Sequence, residues 1–475
     1  MTASRHYPFW LYGRPTEGPR REIRSPWNGS VIASIAEAQS EHIQQAMFAL
    51  QDAAGKLASL SGYQRREICR KVYEGLIARQ DQFAYCIAAE AGKPIRTARA
   101  EVERAMTTFR LAMEESTRVA GVQLPVDIDP RSKDYDCVVE RFPVGPCLFI
   151  TPFNFPLNLV AHKVAPALAC GCPFILKPSD RTPITALMLG ELLASADLPS
   201  GSWSILPTPV ENVTRMVLDR VIKLVSFTGS VSVGWGLQRL AVGKKIILEL
   251  GSNSAVAVEP DADLDAAVER IVAGAFGYSG QSCISVQRIF LHQSIAENFT
   301  VELVARARKL VAGSPEDEST DVGPMIDEAA ARRIEEWVSQ AVSGGAKILT
   351  GGSRRGAFYE PTLLTDVSPD SRIACEEAFG PVAVIEPYTD FEKMLWRVND
   401  SRYGLQAGLF TRDLLKARKA FEQLQVGGVI INDVPTTRLD GMPYGGVKDS
   451  GLGREGVHFA IEHMTELKTL LVRKN

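Results

Sequence analysis

The sequence predicts an α/β protein of two domains, each an open and mostly parallel sheet covered by helices, with a β-hairpin standing apart from both. Three observations lead there. Short apolar runs alternate with helix-patterned segments from about residue 147. The alternation restarts after residue 250, and a turn-centred, β-rich stretch at 126–145 fits neither series.

In the first series, "CLFIT" (147–151), "PFILK" (173–177), "WSILP" (203–207) and "KLVSF" (223–227) are short runs that end in polar or turn residues. Between them lie segments such as "TALMLGELLASADL" (185–198), with apolar positions at helical spacing. Strands joined through helices run parallel. "KKIILELG" (244–251) closes the series. The second opens with "SAVAV" (254–258), continues through a helix-like 261–276 and the strand "QRIFLH" (287–292), and enters another helix near Ile295. This pattern places a domain boundary near residue 250. The stretch 126–145 carries "DPRSKD" between β-rich arms, and 459–475 ends on a further strand candidate, "TELKTLLVRKN". Exposed strand edges want partners, so a homodimer or homotetramer is expected. A hairpin that caps its own domain also satisfies the pattern.

Composition narrows the function. The 53 basic residues against 56 acidic ones give a formal charge of −3 and no excess cation for a phosphate backbone, so a nucleic-acid partner is not expected. No stretch approaches the roughly 20 apolar residues of a membrane span, and "MTASRHYPFWLYGRP" lacks the apolar core of about 7–15 residues of a secretory signal. A cytoplasmic protein without a membrane partner is the expectation. The eight cysteines are too dispersed for a disulfide framework and show no zinc-ligand spacing, so no metal is expected. Cys69, Cys86, Cys137, Cys147, Cys170, Cys172 and Cys375 read as small buried hydrophobes.

The remaining cysteine differs. Cys283 ends the small, polar loop "GYSGQSC" just ahead of a strand. Glu249, in "KKIILELGSNS", sits in an apolar strand where an unpaired carboxylate is costly; it is either a general base or half of an ion pair with a distant cation. Asn154, in "FITPFNFPLN", lies in a proline-stiffened loop that can hold an amide in one orientation, although an asparagine there more often just satisfies backbone groups. "LVSFTGSVSVGWG" (224–236) reads as a strand, a Gly-Ser turn and a helix, a place where backbone amides meet an anion. It is not G-x-G-x-x-G, and a plain turn looks similar. Lys177 ends another strand, at the edge where such sheets bind ligands.

Taken in order, "PFNFPLN", "KPSD", "FTGSVSVG", "ELGSNS", "GQSC", "EEAFGPV" and "PYGGVKDSGLGREG" resemble the NAD(P)-dependent aldehyde dehydrogenase superfamily across nearly the whole chain. The resemblance implies two Rossmann-like domains, NAD-binding (1–125 and 146–250) and catalytic (251–448), with 126–145 and 459–475 as the oligomerisation element. It implies Cys283 as the nucleophile that forms a thiohemiacetal and then a thioester, Asn154 with the Cys283 amide as oxyanion donors, and Glu249 as the base that activates water. For the cofactor it implies Thr151, Pro152, Phe153, Lys177, Ser179, Asp180, Phe227, Gly229, Ser230, Gly234, Leu250, Gly251, Glu377 and Phe379. Asp180 repels a 2′-phosphate, which favours NAD; Arg181 beside it leaves NADP as the second option.

The chain is most similar to the branch that contains lactaldehyde and non-phosphorylating glyceraldehyde-3-phosphate dehydrogenases. That implies a small hydroxylated or anionic aldehyde, with Arg104, Phe155, Leu159, His162, Ser282 and Arg438 around it. Helical arginines are otherwise solvated or salt-bridged. Ser252 replaces a glycine common in the family. A CoA-acylating relative generally lacks the glutamate kept here as Glu249, and a non-catalytic relative should have lost Cys283 or Glu249.

Overall fold

Strands covered by helices on both faces must be apolar throughout, and Cys147–Ile150, Phe174–Lys177 and Leu224–Thr228 are buried at every position. In the computed structural model, which describes residues 5–474, these strands join Trp203–Ile205 and Lys245–Glu249 as the parallel centre of an eight-stranded sheet. Across the sheet their order is fifth, fourth, first, second, third. Winding therefore reverses between Cys147–Ile150 and Leu224–Thr228, the switch point where open α/β sheets bind ligands at the carboxyl ends of their strands. Phe9–Leu11 with Arg14–Thr16 closes one edge antiparallel, and Gly451–Leu452 closes the other.

The helix Asn158–Cys170 is buried at every position, His162 and Lys163 included. Such a charge needs a partner, and Lys163 Nζ pairs with Glu455 at 2.8 Å. Ile184–Ala194 is likewise sunk in the core, and the Glu90 carboxylate accepts the first amides of that helix, from Ile184 (2.8 Å) and Thr185 (2.9 Å).

Ala255–Val258 opens a second sheet of seven strands, ordered Lys347–Thr350, Thr362–Thr365, Val382–Tyr388, Arg288–His292, Ala255–Val258, Gln406–Phe410 and Gly428–Ile431. Only the first pair is antiparallel. The helix expected over 261–276 begins at Leu264 because Asp263 caps it, accepting from the Ala266 amide at 3.1 Å. Loops leaving the carboxyl ends of the first sheet meet loops entering the amino ends of the second, and the site lies where they meet.

Three expectations need correction. The hairpin is not confined to 126–145: Tyr135–Pro143 pairs with Val122–Leu124, inside the stretch assigned to the first domain, and 126–134 form no strand. Pro125 lacks an amide and ends the first arm. The C-terminal strand Thr465–Arg473 does pair with Tyr135–Pro143, but residues 457–464 form a helix packed on Asn158–Cys170, and Gly451–Leu452 returns to the first sheet. Residues 1–4 and Asn475 of the assigned segments lie outside the described residues. Finally, Cys375 is exposed rather than buried, at the end of the one-turn helix Arg372–Cys375. All eight cysteines are free thiols, and no described helix is long and apolar enough to cross a membrane.

Candidate active site

The turn that presents Cys283 is strained. Tyr278, Ser279 and Gly280 have φ of 51°, 54° and 66°, a left-handed run that costs the two side-chain-bearing residues about 1–3 kcal/mol each. Side-chain hydrogen bonds hold it. The Tyr278 hydroxyl donates to the Ala91 carbonyl (3.0 Å), Ser279 Oγ to the Gly323 carbonyl (2.7 Å), and Gln281 Oε1 accepts from the Ile326 amide (2.8 Å). Cys283 follows, half-buried, its sulfur 3.0 Å from the Tyr444 hydroxyl. Burial pushes the thiol up to about 12, against the pull of that hydrogen bond.

Asn154, in the loop after Cys147–Ile150, donates from Nδ2 to the Gln281 carbonyl at 3.0 Å, two residues before the thiol. That bond orients the amide and leaves its second N–H for a reacting oxygen. Glu249 ends its strand beside Gly229, whose amide donates to the Glu249 carbonyl at 3.0 Å. Glu249 is 2% exposed and neither carboxylate oxygen has a hydrogen-bond partner among the described residues, so the ion-pair reading drops out. Burial first, and the charge of Glu455 second, push it well above the usual carboxylate range. Gly445, at φ 157°, makes room for it: a Cβ there would stand 2.9 Å from Glu249 Oε1.

Around the switch point, the expected cofactor residues converge. Ser230 heads the helix Val231–Leu240, with Phe227 and Gly229 just before it and Gly234 buried within it. The Thr151 amide donates to the Lys177 carbonyl (3.2 Å), and Pro152 and Phe153 follow. Lys177 Nζ donates to Asp180 Oδ1 at 2.6 Å, while Arg181 is held by Asp327 at 2.7 Å and its amide by Ser179 Oγ at 3.1 Å. The Leu250 amide donates to the Ser450 carbonyl (2.9 Å). Glu377 Oε1 accepts from the Ser252 amide at 3.1 Å, and burial pushes that carboxyl up to about 7. Gly251 is glycine because a Cβ would collide with the Glu377 carboxylate. Phe379 stands edge-on to Phe153, centroids 5.8 Å apart. A cavity of about 430 Å³ runs between Ser230, Trp235, Glu377 and Tyr403. A helix amino end for phosphate and a carboxylate for ribose hydroxyls are the groups a dinucleotide needs.

Cys283 opens into a smaller cavity of about 150 Å³, room for about five water-sized groups. Phe155, Leu159 and Ser282 line it as expected, and both expected cations stand in its wall. Asp440 grips Arg104 with two bonds, Nη2 to Oδ1 (2.8 Å) and Nε to Oδ2 (3.2 Å). The Arg438 side chain is 5% exposed, pairs with Glu455 at 3.1 Å, lies 3.7 Å over the Tyr444 ring and has an Nε without a partner among the described residues. The salt-bridged and cavity-facing readings of these arginines therefore hold together. His162 is a correction. It does not line the cavity but stands behind Asp440, its Nε2 2.9 Å from Oδ1, and burial pushes it down to about 4. Asn158 and His162, four apart on one helix face, both reach Asp440.

Residues 14–470 match the model of the aldehyde dehydrogenase family. The chain belongs to that family. It is 43% identical over 474 residues to 3-sulfolactaldehyde dehydrogenase of Priestia aryabhattai, with 99% of both chains covered. The crystal structure of aldehyde dehydrogenase 21 from Physcomitrella patens, in complex with the reaction product succinate, superposes with a TM-score of 0.98 at 43% identity, over 99% of this chain and 98% of that one. Glyceraldehyde-3-phosphate dehydrogenase GapN from Methanocaldococcus jannaschii, complexed with NADP, superposes with a TM-score of 0.91 at 38% identity, over 95% and 99%. As an aldehyde dehydrogenase, the protein oxidises an aldehyde to the carboxylic acid with NAD(P) as hydride acceptor.

Several residues of this aldehyde dehydrogenase site escape a reading of the sequence. Tyr444, Thr436 and Tyr278 reach the cavity, and Asp440 reaches Arg104 in its wall, only through the tertiary fold. Lys163 carries a signal, a cation in the apolar "LVAHKVAPALAC". Lys93 and Glu101 form an ion pair with both side chains 0% exposed. The Lys93 ammonium lies 3.7 Å from the Phe155 ring centroid and 4.5 Å from that of Tyr278, two walls of the cavity. Lys93→Met strands the Glu101 charge and should cost about 3–5 kcal/mol of stability in a denaturant titration; an unchanged midpoint would contradict the pairing.

Proposed function

We propose that this aldehyde dehydrogenase acts on a small, hydroxylated aldehyde with an anionic group at its far end, and prefers NAD. The observation that carries the proposal is the pair of guanidinium groups in the wall of the cavity that holds Cys283. A sulfonate or carboxylate entering there meets Arg104, already set by Asp440, and Arg438, whose Nε has no partner among the described residues. The relatives' names agree: one acts on 3-sulfolactaldehyde, another was crystallised with succinate.

The roles follow the resemblance to the family. The Cys283 sulfur attacks the aldehyde carbon, and the Asn154 amide supports the resulting oxyanion. Bound NAD(P) supplies the hydride acceptor. Glu249 takes a proton from water as that water attacks the thioester, releasing the acid and restoring the thiolate. The switch-point cleft seats the dinucleotide, with Ser230 and the helix it heads at the pyrophosphate, Lys177 at the adenosine ribose and Glu377 at the nicotinamide ribose. Asp180, beside that ribose, disfavours a 2′-phosphate. The exposed Leu467, Leu470 and Leu471 on the C-terminal strand, with Phe142 across from it, fit a homodimer or homotetramer built on the three-stranded ribbon.

The test is an absorbance assay over sulfonated, carboxylated, hydroxylated and neutral small aldehydes, with NAD and NADP in parallel. Anionic hydroxyaldehydes with NAD should give the highest kcat/KM. Arg104→Ala should lower kcat/KM about 10–100-fold for them, chiefly through KM, with little change for neutral ones. Unchanged kcat/KM for every anionic aldehyde in both Arg104→Ala and Arg438→Ala would end the proposal.

A further inference from the structure

The chemistry above leaves the Tyr444 hydroxyl unused, although it stands 3.0 Å from the Cys283 sulfur. Tyr444 is fixed from several sides. Its amide donates to the Glu455 carbonyl at 3.0 Å, its ring packs with Ile284, Leu405 and Met442, and the Arg438 guanidinium covers its face at 3.7 Å. Glu455 in turn holds Arg438, and Lys163 holds Glu455. The phenol is therefore built into a rigid buried assembly and aimed at the reacting atom.

We propose that Tyr444 is a catalytic residue, its hydroxyl donating a hydrogen bond to the Cys283 sulfur that favours the thiolate over the thiol. The proposal rests on Cys283 being the nucleophile. With the sulfur protonated, either atom can be the donor; with the sulfur ionised, only the phenol can, and the bond becomes charge-assisted and about twice as strong. That difference between the two states is what shifts the balance. The thiol proton goes to solvent, and Tyr444 keeps its own, because burial pushes the phenol well above its ordinary range. The charged groups that act on the sulfur are Arg438, which assists ionisation, and Glu377 and Glu249, which oppose it. Burial pushes both carboxyls toward the neutral acid, which weakens their opposition. The Arg438 cation on the ring face draws electron density from the phenol and makes its O–H a better donor.

The test is alkylation of Cys283 in the full-length enzyme by iodoacetamide, in which the sulfur displaces iodide, followed by peptide mass spectrometry as a function of pH. Tyr444→Phe keeps the ring and the Arg438 stack and removes only the hydroxyl. At neutral pH it should slow alkylation about tenfold, with the pH profile displaced to the alkaline side by about one unit. Difluorotyrosine introduced at 444, a nearly isosteric and stronger donor, should accelerate alkylation. A packing defect would not give responses of opposite sign. The proposal is overturned if the Tyr444→Phe profile superposes on wild type, if both variants move the same way, or, should the phenylalanine variant not fold, if the difluorotyrosine enzyme alkylates at the wild-type rate. A Cys283→Ser enzyme that still formed NADH would overturn the nucleophile assignment instead, and the alkylation profiles would still report the hydrogen bond.

Discussion

Replacing Cys283 by serine should lower the rate of NADH formation a thousandfold or more, roughly the cost of removing a covalent nucleophile. The oxygen has the size for the site but not the acidity. Among the described residues no histidine is bonded to residue 283 to take a hydroxyl proton; the side chain hydrogen-bonded to it is Tyr444, itself driven further from ionisation by burial. A serine there stays a neutral alcohol at any pH the fold tolerates. Steady-state NADH absorbance on the best aldehyde from the panel measures the loss, and unaltered NADH binding, read by fluorescence, separates it from misfolding. A serine enzyme running at wild-type speed would remove the covalent route altogether.

The second large effect is expected from Glu249→Gln, and it should split the reaction in time. Attack by sulfur and hydride transfer do not need the carboxylate, so about one NADH per active site should still form rapidly. Release of the acid should then stall, lowering steady-state turnover about 10²–10⁴-fold. The pH dependence gives a second reading. Burial and the charge of Glu455 raise the Glu249 pKa, so the group becomes a base only as the pH rises through that raised value. Wild-type thioester hydrolysis should therefore quicken toward alkaline pH, and the variant should lose that rise. The sign for stability is the opposite. A carboxyl whose folded pKa is raised favours the fold at low pH and loses that benefit as the pH climbs, so the glutamine variant should match wild type in acid and exceed it in alkali. Stopped-flow NADH traces test the first claim and thermal melts the second. Full turnover with no burst in the glutamine enzyme would assign the base elsewhere, and wild-type turnover that required free CoA would replace water as acceptor.

What could be read from the chain and what could not follows from where the information resides. The central strands were legible because burial on both faces leaves a continuous apolar run, and the run itself is local. Glu249 stood out because it ends such a run with a charge that burial does not favour, Asn154 because prolines stiffen its loop, and Cys283 because it follows a small, polar loop just ahead of a strand. The first arm of the ribbon was not legible. Val126 and Ile128 look like strand residues, yet Ile128 is 86% exposed, and the pairing uses Val122–Leu124 in a register that only Tyr135–Pro143 defines. His162 was placed at the substrate by the resemblance, whereas its helix face turns it to Asp440, 278 residues away. Tyr444 lies 161 residues from the sulfur it touches, and no local pattern encodes such a meeting. Cys375 had a local cue in the flanking "CEEA", a polar setting that speaks against a buried thiol.

The last part of the chain bears on how the molecule is made. Glu455 supplies the counter-charge for Lys163, Gly451–Leu452 finishes the first sheet, and Val457–Met464 roofs the Asn158–Cys170 helix. On the ribosome, which delivers the amino-terminal half first, that half must wait with a bare lysine and an uncovered apolar surface until the final segment emerges. Nascent chains stalled before Glu455 should thus bind hydrophobic holdases that the finished enzyme ignores, and translation speed through the second domain sets how long that vulnerable interval lasts.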